Sequence, residues 1–175
     1  STHATWKEHD VYRVLASENG VQITTNLPAP MDSFTLNAGE FRSLWADRGF
    51  TLHASGAVTV GQVLISQERI PQGGTGDPSM LIFPAAEQHR KDYVFLVPTT
   101  FAVNYFVLAK PVTGTFTIDG QGLDEFANCT RAPIGTVQGI AYEQVTCRIS
   151  EGKHTVEGSD PFGLSVYGYY SVGSY

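Results

Sequence analysis

Apolar and polar residues alternate with a period of two along most of this chain, and almost nowhere with the period of a helix. Val11 to Ala16 alternates, Glu18-Asn19-Gly20 follows, and Val21 to Thr25 alternates again. Asn-Gly between two such runs predicts a β-hairpin. Leu27-Pro28-Ala29-Pro30 closes the second run, because proline brings no N–H to a ladder. Phe34 to Leu36 leads through Asn37-Ala38-Gly39 into Glu40 to Trp45, and Phe50 to Ala54 with Val58 to Gln67 is predicted as a pair around Ser55-Gly56. Beyond the glycine-rich segment Pro71 to Pro78, strands are predicted at Met80 to Phe83, Asp92 to Val97, Val103 to Ala109 and Gly114 to Ile118. After the turn Asp119-Gly120-Gln121-Gly122 come Val137 to Ala141, Gln144 to Ile149, His154 to Glu157 and Gly163 to Tyr169. The one helix-like stretch, Phe41 to Ala46, is too short to hold a helix. Many short strands with turns every eight to twelve residues or so predict an all-β, antiparallel β-sandwich. A single domain over residues 1–175, or two small packed sandwich subdomains meeting near 70–79, fits this pattern.

The last strand carries the most distinctive side chains. Tyr167, Tyr169, Tyr170 and Tyr175 fall within nine residues and are interleaved with glycines. Tyrosine is an apolar plate with a polar tip, which suits a contact surface that must stay soluble. Residues two apart on a strand share a face, so Tyr167 and Tyr169 are expected to point together and Tyr170 opposite. With Leu164 and Val166 in the core, Tyr167 and Tyr169 would face outward as a ligand-binding surface; the alternative is a last core strand.

Composition narrows the partners. Net charge is −6 with only 11 Lys and Arg, and these are scattered. A nucleic-acid or anionic membrane surface needs clustered cations, so neither partner is expected. No apolar run approaches the ~20 residues of a membrane helix, and membrane insertion is not expected. The first residues, Ser1 to Trp6, have no basic and no apolar signal segment and no initiator Met, as expected for a mature protein or a piece of a longer one.

Candidate chemistry is sparse. The five histidines show no metal-binding spacing. Gly73 to Ser79 resembles a phosphate loop but lacks the Gly-Lys-Ser/Thr ending, and Ser79 sits in no nucleophile elbow. Asp119, Asp124 and Glu125 cluster around a glycine turn, where carboxylates could hold calcium or simply form a solvated acidic loop. Cys147 and His154 lack a third group to orient them as nucleophile and base. No cofactor is expected. Cys129 and Cys147 match no zinc or redox motif and flank predicted strands. A disulfide between them is expected, the alternative being two buried thiols. Asn128-Cys129-Thr130 formally matches a glycosylation sequon.

Several motifs together resemble one family. Val11 to Ile23 resembles the opening of the IgGFc-binding protein N-terminal domain, Leu36 to Glu40 its next motif, and Val63 to Gln67 with Gly76-Asp77-Pro78-Ser79-Met80 and Pro84 its centre. Gly152-Lys153-His154 and Phe162-Gly163-Leu164-Ser165-Val166-Tyr167-Gly168-Tyr169 resemble its end. That end motif usually continues into Tyr-Gly-Tyr-Pro, whereas here Ser174-Tyr175 closes the chain, as in a trimmed domain. The resemblance implies an extracellular or cell-surface binding module, not an enzyme, carried in a larger multidomain protein. It carries no ligand-binding residue across. The expected activity is adhesion or recognition of a glycan or a cell-surface protein. The alternatives are a structural spacer or oligomerisation module and, more remotely, a secreted hydrolase.

Overall fold

The computed structural model describes residues 2–3, 6–7, 10–63, 78–170 and 173–175. The glycine-rich loop up to Asp77 and the predicted strand end at residues 64–67 lie outside the described residues. No α-helix occurs among the described residues; a single 3-10 turn covers Ala86–Gln88. The chain divides into two compact units, Ser1–Phe83 and Pro84–Tyr175.

The first unit begins with a short ladder of β1 (Thr2–His3) and β2 (Trp6–Lys7). Its body is a sandwich of two antiparallel sheets. One contains β3 (Asp10–Ala16), β6 (Phe41–Ala46), β8 (Val58–Val63) and β9 (Met80–Phe83), in the order β6-β3-β8-β9. The other contains β4 (Val21–Thr25), β5 (Ser33–Leu36) and β7 (Leu52–Ala54), in the order β5-β4-β7. Alternate residues of both sheets meet in one core, with Val14, Ala16, Leu44 and Ala46 from the first against Val21, Ile23, Phe34 and Leu36 from the second.

Asn19-Gly20 is therefore not a hairpin turn, as the sequence predicted. β3 pairs with β6 and β8, whereas β4 pairs with β5 and β7. The four residues Ser17 to Gly20 cross between sheets, a gap of about 10 Å. Ser55-Gly56 joins β7 to β8 in the same manner, so that predicted pair is also split between the sheets. Crossing lets the apolar stripes of consecutive strands face each other, where a hairpin would have laid them side by side. The crossings brace one another. The Asn19 carboxamide oxygen accepts the Ala38 N–H at 3.1 Å, and that of Asn37 accepts the Gly20 N–H at 3.2 Å. Ser17 Oγ donates to the Ala57 carbonyl at 3.1 Å, and Ser55 Oγ accepts the Gln22 N–H at 3.0 Å. Gly20 has φ +71°, in the left-handed region that only glycine adopts without strain.

The second unit contains β10 (Arg90–Val97), β11 (Val103–Pro111), β12 (Phe116–Ile118), β13 (Gln121–Gly122), β14 (Cys129–Val137), β15 (Ile140–Ile149), β16 (Gly152–Tyr170) and β17 (Gly173–Ser174). The predicted strands at His154 to Glu157 and Gly163 to Tyr169 are one 19-residue strand, β16. Its first half lies between β10 and β12, its second half beside β11 and β17. Between the halves the register jumps, with Asp92 facing Glu157 and Arg90 facing Phe162. Gly158 sits in this irregular stretch, where a Cβ would come within 2.5 Å of the Phe116 ring. The bend lets one strand serve two sheet segments around a core of Phe106, Leu108, Phe116, Ile118, Val145, Val156 and Phe162. The Tyr93 hydroxyl closes the bend by donating to the Phe162 carbonyl at 2.8 Å and accepting the Arg90 N–H at 3.0 Å.

The predicted strand Val137 to Ala141 is likewise corrected. Gln138 and Gly139, at φ +49° and +83°, form the turn between β14 and β15. Two successive positive φ values are the signature of a two-residue hairpin, here without the usual Asn.

Candidate functional site

The tyrosine-rich end is arranged as the alternation requires, but it does not form an open surface. Leu164 and Val166 pack on the core, and Tyr167 and Tyr169 share the other face of β16. Both tyrosines are nevertheless only 7% exposed. The register places Tyr105 directly opposite Tyr167, their rings stacked at 5.3 Å, and Tyr169 meets Tyr167 edge-on at 5.5 Å. Aromatic plates set side by side on a strand pair thus cover one another. Gly168 does not open a path to them, because its free side is filled by Asn104, Phe101 and Tyr175. Tyr167 and Tyr169 are packing residues, which corrects the expected outward ligand surface. Tyr170 is 52% exposed, and Tyr175 is half-buried where it folds back on Asn104.

The three carboxylates go separate ways. Asp119, at φ +51° in the turn after β12, accepts the Thr155 N–H at 2.8 Å through Oδ1 and holds His154 Nδ1 at 2.6 Å through Oδ2. Desolvation pushes its pKa up, but the hydrogen bonds from His154 and Thr155 and the His154 charge outweigh it, and the net shift is downward. His154 Nε2 lies 3.1 Å from the Ser150 carbonyl. Both partners of the ring are acceptors, so both contacts are hydrogen bonds only when both ring nitrogens carry protons. Asp124 pairs with Arg131, whose other branch reaches Glu143 at 3.2 Å. Glu125 lies beside Gly122. Among the described residues, no group of three or more His, Cys, Asp or Glu is placed to hold a metal ion. Asp119 is held by His154 and Thr155 and Asp124 by Arg131, so the carboxylates clustered in sequence have different partners in the fold.

Cys129 and Cys147 are bonded to each other, directly opposite on β14 and β15 with Cα atoms 4.1 Å apart. Cys147 is therefore not a nucleophile. The neighbours of this cystine, Asn128 and Arg148, are linked by a hydrogen bond from the Arg148 N–H to the Asn128 carbonyl at 3.3 Å. Both residues line a solvent-facing groove of about 390 Å³ whose walls include Phe101, Asn104 and Glu151. The Tyr175 hydroxyl donates to Asn104 Oδ1 at 3.0 Å, Asn104 Nδ2 donates to the Phe101 carbonyl at 3.0 Å, and the Tyr175 and Phe101 rings meet edge-on at 4.6 Å. Of the residues singled out in the sequence, Asn128 lines this groove, and Tyr175 touches two of its lining residues, Phe101 and Asn104.

A second surface lies on the first unit. Residues pointing away from its core on the four-stranded sheet include Leu15 on β3, Phe41 and Trp45 on β6, and Met80 and Ile82 on β9, all exposed. Register brings them together, with Phe41 opposite Leu15, Trp45 opposite Val11, and Ile82 opposite Gly61. Arg13 is the charged side chain on this face among the described residues, and its guanidinium lies 5.2 Å from the centre of the Phe41 ring. The sequence held the signal in β3 and β6. Their outward positions Val11, Leu15, Phe41 and Trp45 are apolar although the inward positions already supply the core. An amphipathic strand needs apolar residues on one face only.

No helix among the described residues is long and apolar enough to cross a membrane. No curated protein and no solved structure matches the chain. A family model described as IgGFc binding protein matches residues 2–168, nearly its whole length, and the chain belongs to that family.

Proposed function

We propose that the chain is a non-catalytic recognition module of a larger extracellular or cell-surface protein. It engages a protein partner through the outer face of the four-stranded sheet in the first unit. The observation that carries this reading is the exposed set of Leu15, Phe41, Trp45, Met80 and Ile82 around Arg13. The eleven outward positions of the four strands, three each on β3, β6 and β8 and two on β9, span a face on the order of 350 Å², and exposed apolar residues grouped on such a face mark interaction sites. Aromatic residues, Met and Arg are the types enriched at interface centres. The cystine suits an oxidising compartment. The family description makes the Fc region of IgG the first ligand to measure.

The test is surface plasmon resonance of immobilised Fc against the wild type, Phe41→Ala and Trp45→Ala, with melting temperatures for all three. The expected result is binding weakened at least tenfold by each substitution at unchanged melting temperature. Fc binding indifferent to both substitutions overturns the face as the contact, and no binding at all excludes Fc as the ligand. Concentration-dependent self-association abolished by Trp45→Ala would favour an oligomerisation module instead.

A further inference from the structure

We infer that the groove beside the cystine of the second unit binds the end of a neutral saccharide. This site is separate from the proposed protein-binding face. The inference starts from three polar groups at its rim. Asn128, Arg148 and Glu151 all line the groove, all are exposed, and none has a side-chain hydrogen bond or ion pair among the described residues. Arg148 and Glu151 share the groove without pairing to each other.

The backbone under these groups is fixed. Asn128 and Arg148 adjoin the two bonded cysteines. Asn128 is held at φ +62°. The turn that carries Glu151 is tied through the Ser150 carbonyl to His154, which is itself tied to Asp119. The aromatic wall is fixed too, with Phe101 held by Tyr175 and by the Asn104 carboxamide. Free polar tips on a rigid frame cost little ordering on binding.

The donor set selects the ligand class. A guanidinium offers paired donors, a carboxylate paired acceptors, and a carboxamide one of each. Vicinal hydroxyls, which both donate and accept, satisfy all three. The Phe101 ring supplies an apolar plate for the C–H face of a sugar ring. The alternatives fit less well. A phosphate or sulfate group would meet Glu151, and a simple cation would meet Arg148. An added peptide strand needs a free backbone donor, but the Arg148 N–H is already given to Asn128. A volume of about 390 Å³ suits a sugar unit or two.

The test is a screen of the folded, oxidised chain against an array of neutral mono- and disaccharides. Sulfated and phosphorylated counterparts are included, and hits are followed by isothermal titration. The expected outcome is binding of a neutral saccharide that weakens at least tenfold in Arg148→Ala and in Glu151→Ala at unchanged melting temperature. Asn128→Ala should weaken it less, and Phe41→Ala and Trp45→Ala not at all. No neutral saccharide bound at millimolar concentrations overturns the inference. So does binding indifferent to Arg148 and Glu151, or preference for the charged counterparts. Because the two faces are mutated separately, loss of one activity with retention of the other shows which reading has failed.

Discussion

The two units solve the problem of a sheet's outer face in opposite ways. On the first unit, the outward faces of β3, β6 and β9 carry large apolar side chains open to solvent, Leu15, Phe41, Trp45, Met80 and Ile82. On the second, the outward face of β11 and β16 is aromatic as well, but Tyr105, Tyr167 and Tyr169 lie against one another and the last two are buried. Sequence composition ranks the tyrosine face as the more conspicuous. Exposure ranks the other as the more available. The units also differ in what ties them. The first relies on crossings braced by Asn19, Asn37, Ser17 and Ser55. The second has a cystine and a buried lysine. The Lys110 ammonium is 2.8 Å from its cross-strand partner Glu143, donates to the Pro111 carbonyl at 2.7 Å and lies 4.5 Å above the Phe116 ring. Aromatic content alone therefore does not mark a recognition surface; what matters is whether the neighbouring rings already cover it.

Truncating one ring on each face tests this contrast most severely. Tyr167→Ala removes a buried plate wedged between Tyr105 and Tyr169 and is expected to cost roughly 3–5 kcal/mol, the range for a large aromatic in a closed site. Trp45→Ala, on an open face, should stay within about 0.5 kcal/mol of the wild type. Urea unfolding of both variants decides the matter. Equal losses would erase the distinction between the faces.

Removing the cystine comes next in size. Cys129→Ala with Cys147→Ala opens a link between residues 18 apart in sequence, for which chain entropy gives about 3 kcal/mol. β14 and β15 are already joined by the tight Gln138-Gly139 turn, so their pairing persists and the loss is one of stability, not of topology. Melting of the double variant beside the oxidised and reduced wild type measures it. A reduced wild type as stable as the oxidised one would show that the bond contributes nothing to the second unit.

How much of this was legible beforehand depends on what each feature rests upon. Strand positions in the first unit follow from local alternation, and β3, β4 and β5 fall where the pattern puts them. Which strands pair does not follow from it. Asn-Gly serves a hairpin and a sheet crossing equally well, since both need a left-handed glycine, and only the inward stripes of both sheets decide between them. The unity of β16 was hidden by Gly158 to Pro161, which look like a turn and act as a bend inside a strand. In the candidate sites, shared faces were readable from parity, so Tyr167 and Tyr169 do lie together. Their burial was not, because it depends on Tyr105, 62 residues away in sequence and opposite only by register. Arg148 and Glu151 carry no motif at all. They meet Asn128 and Phe101 only through the pairing of β14 with β15 and the path of the chain before β11.

The smallest expected effect concerns the tie between Asp119 and His154, which anchors the Ser150–Glu151 turn at the edge of the groove and has no counterpart in the crossings of the first unit. The folded chain holds Asp119 below its ordinary pKa of 3.8. A carboxylate with a depressed folded pKa stabilises fully above the unfolded value and loses that contribution as pH falls through the folded one. The window therefore opens near pH 4 and extends downward. Asp119 is about half exposed at its side chain, so solvent screening keeps the effect modest. Asp119→Asn keeps an oxygen for the Thr155 N–H but gives up the charge. Urea midpoints of wild type and variant, followed from pH 5 downward, should show the wild type ahead at pH 5 and the gap closing as acid protonates Asp119. A gap that persists undiminished well below pH 3 would mean that the carboxylate's charge is not what holds the turn. The groove's backbone would then owe its shape to the cystine alone.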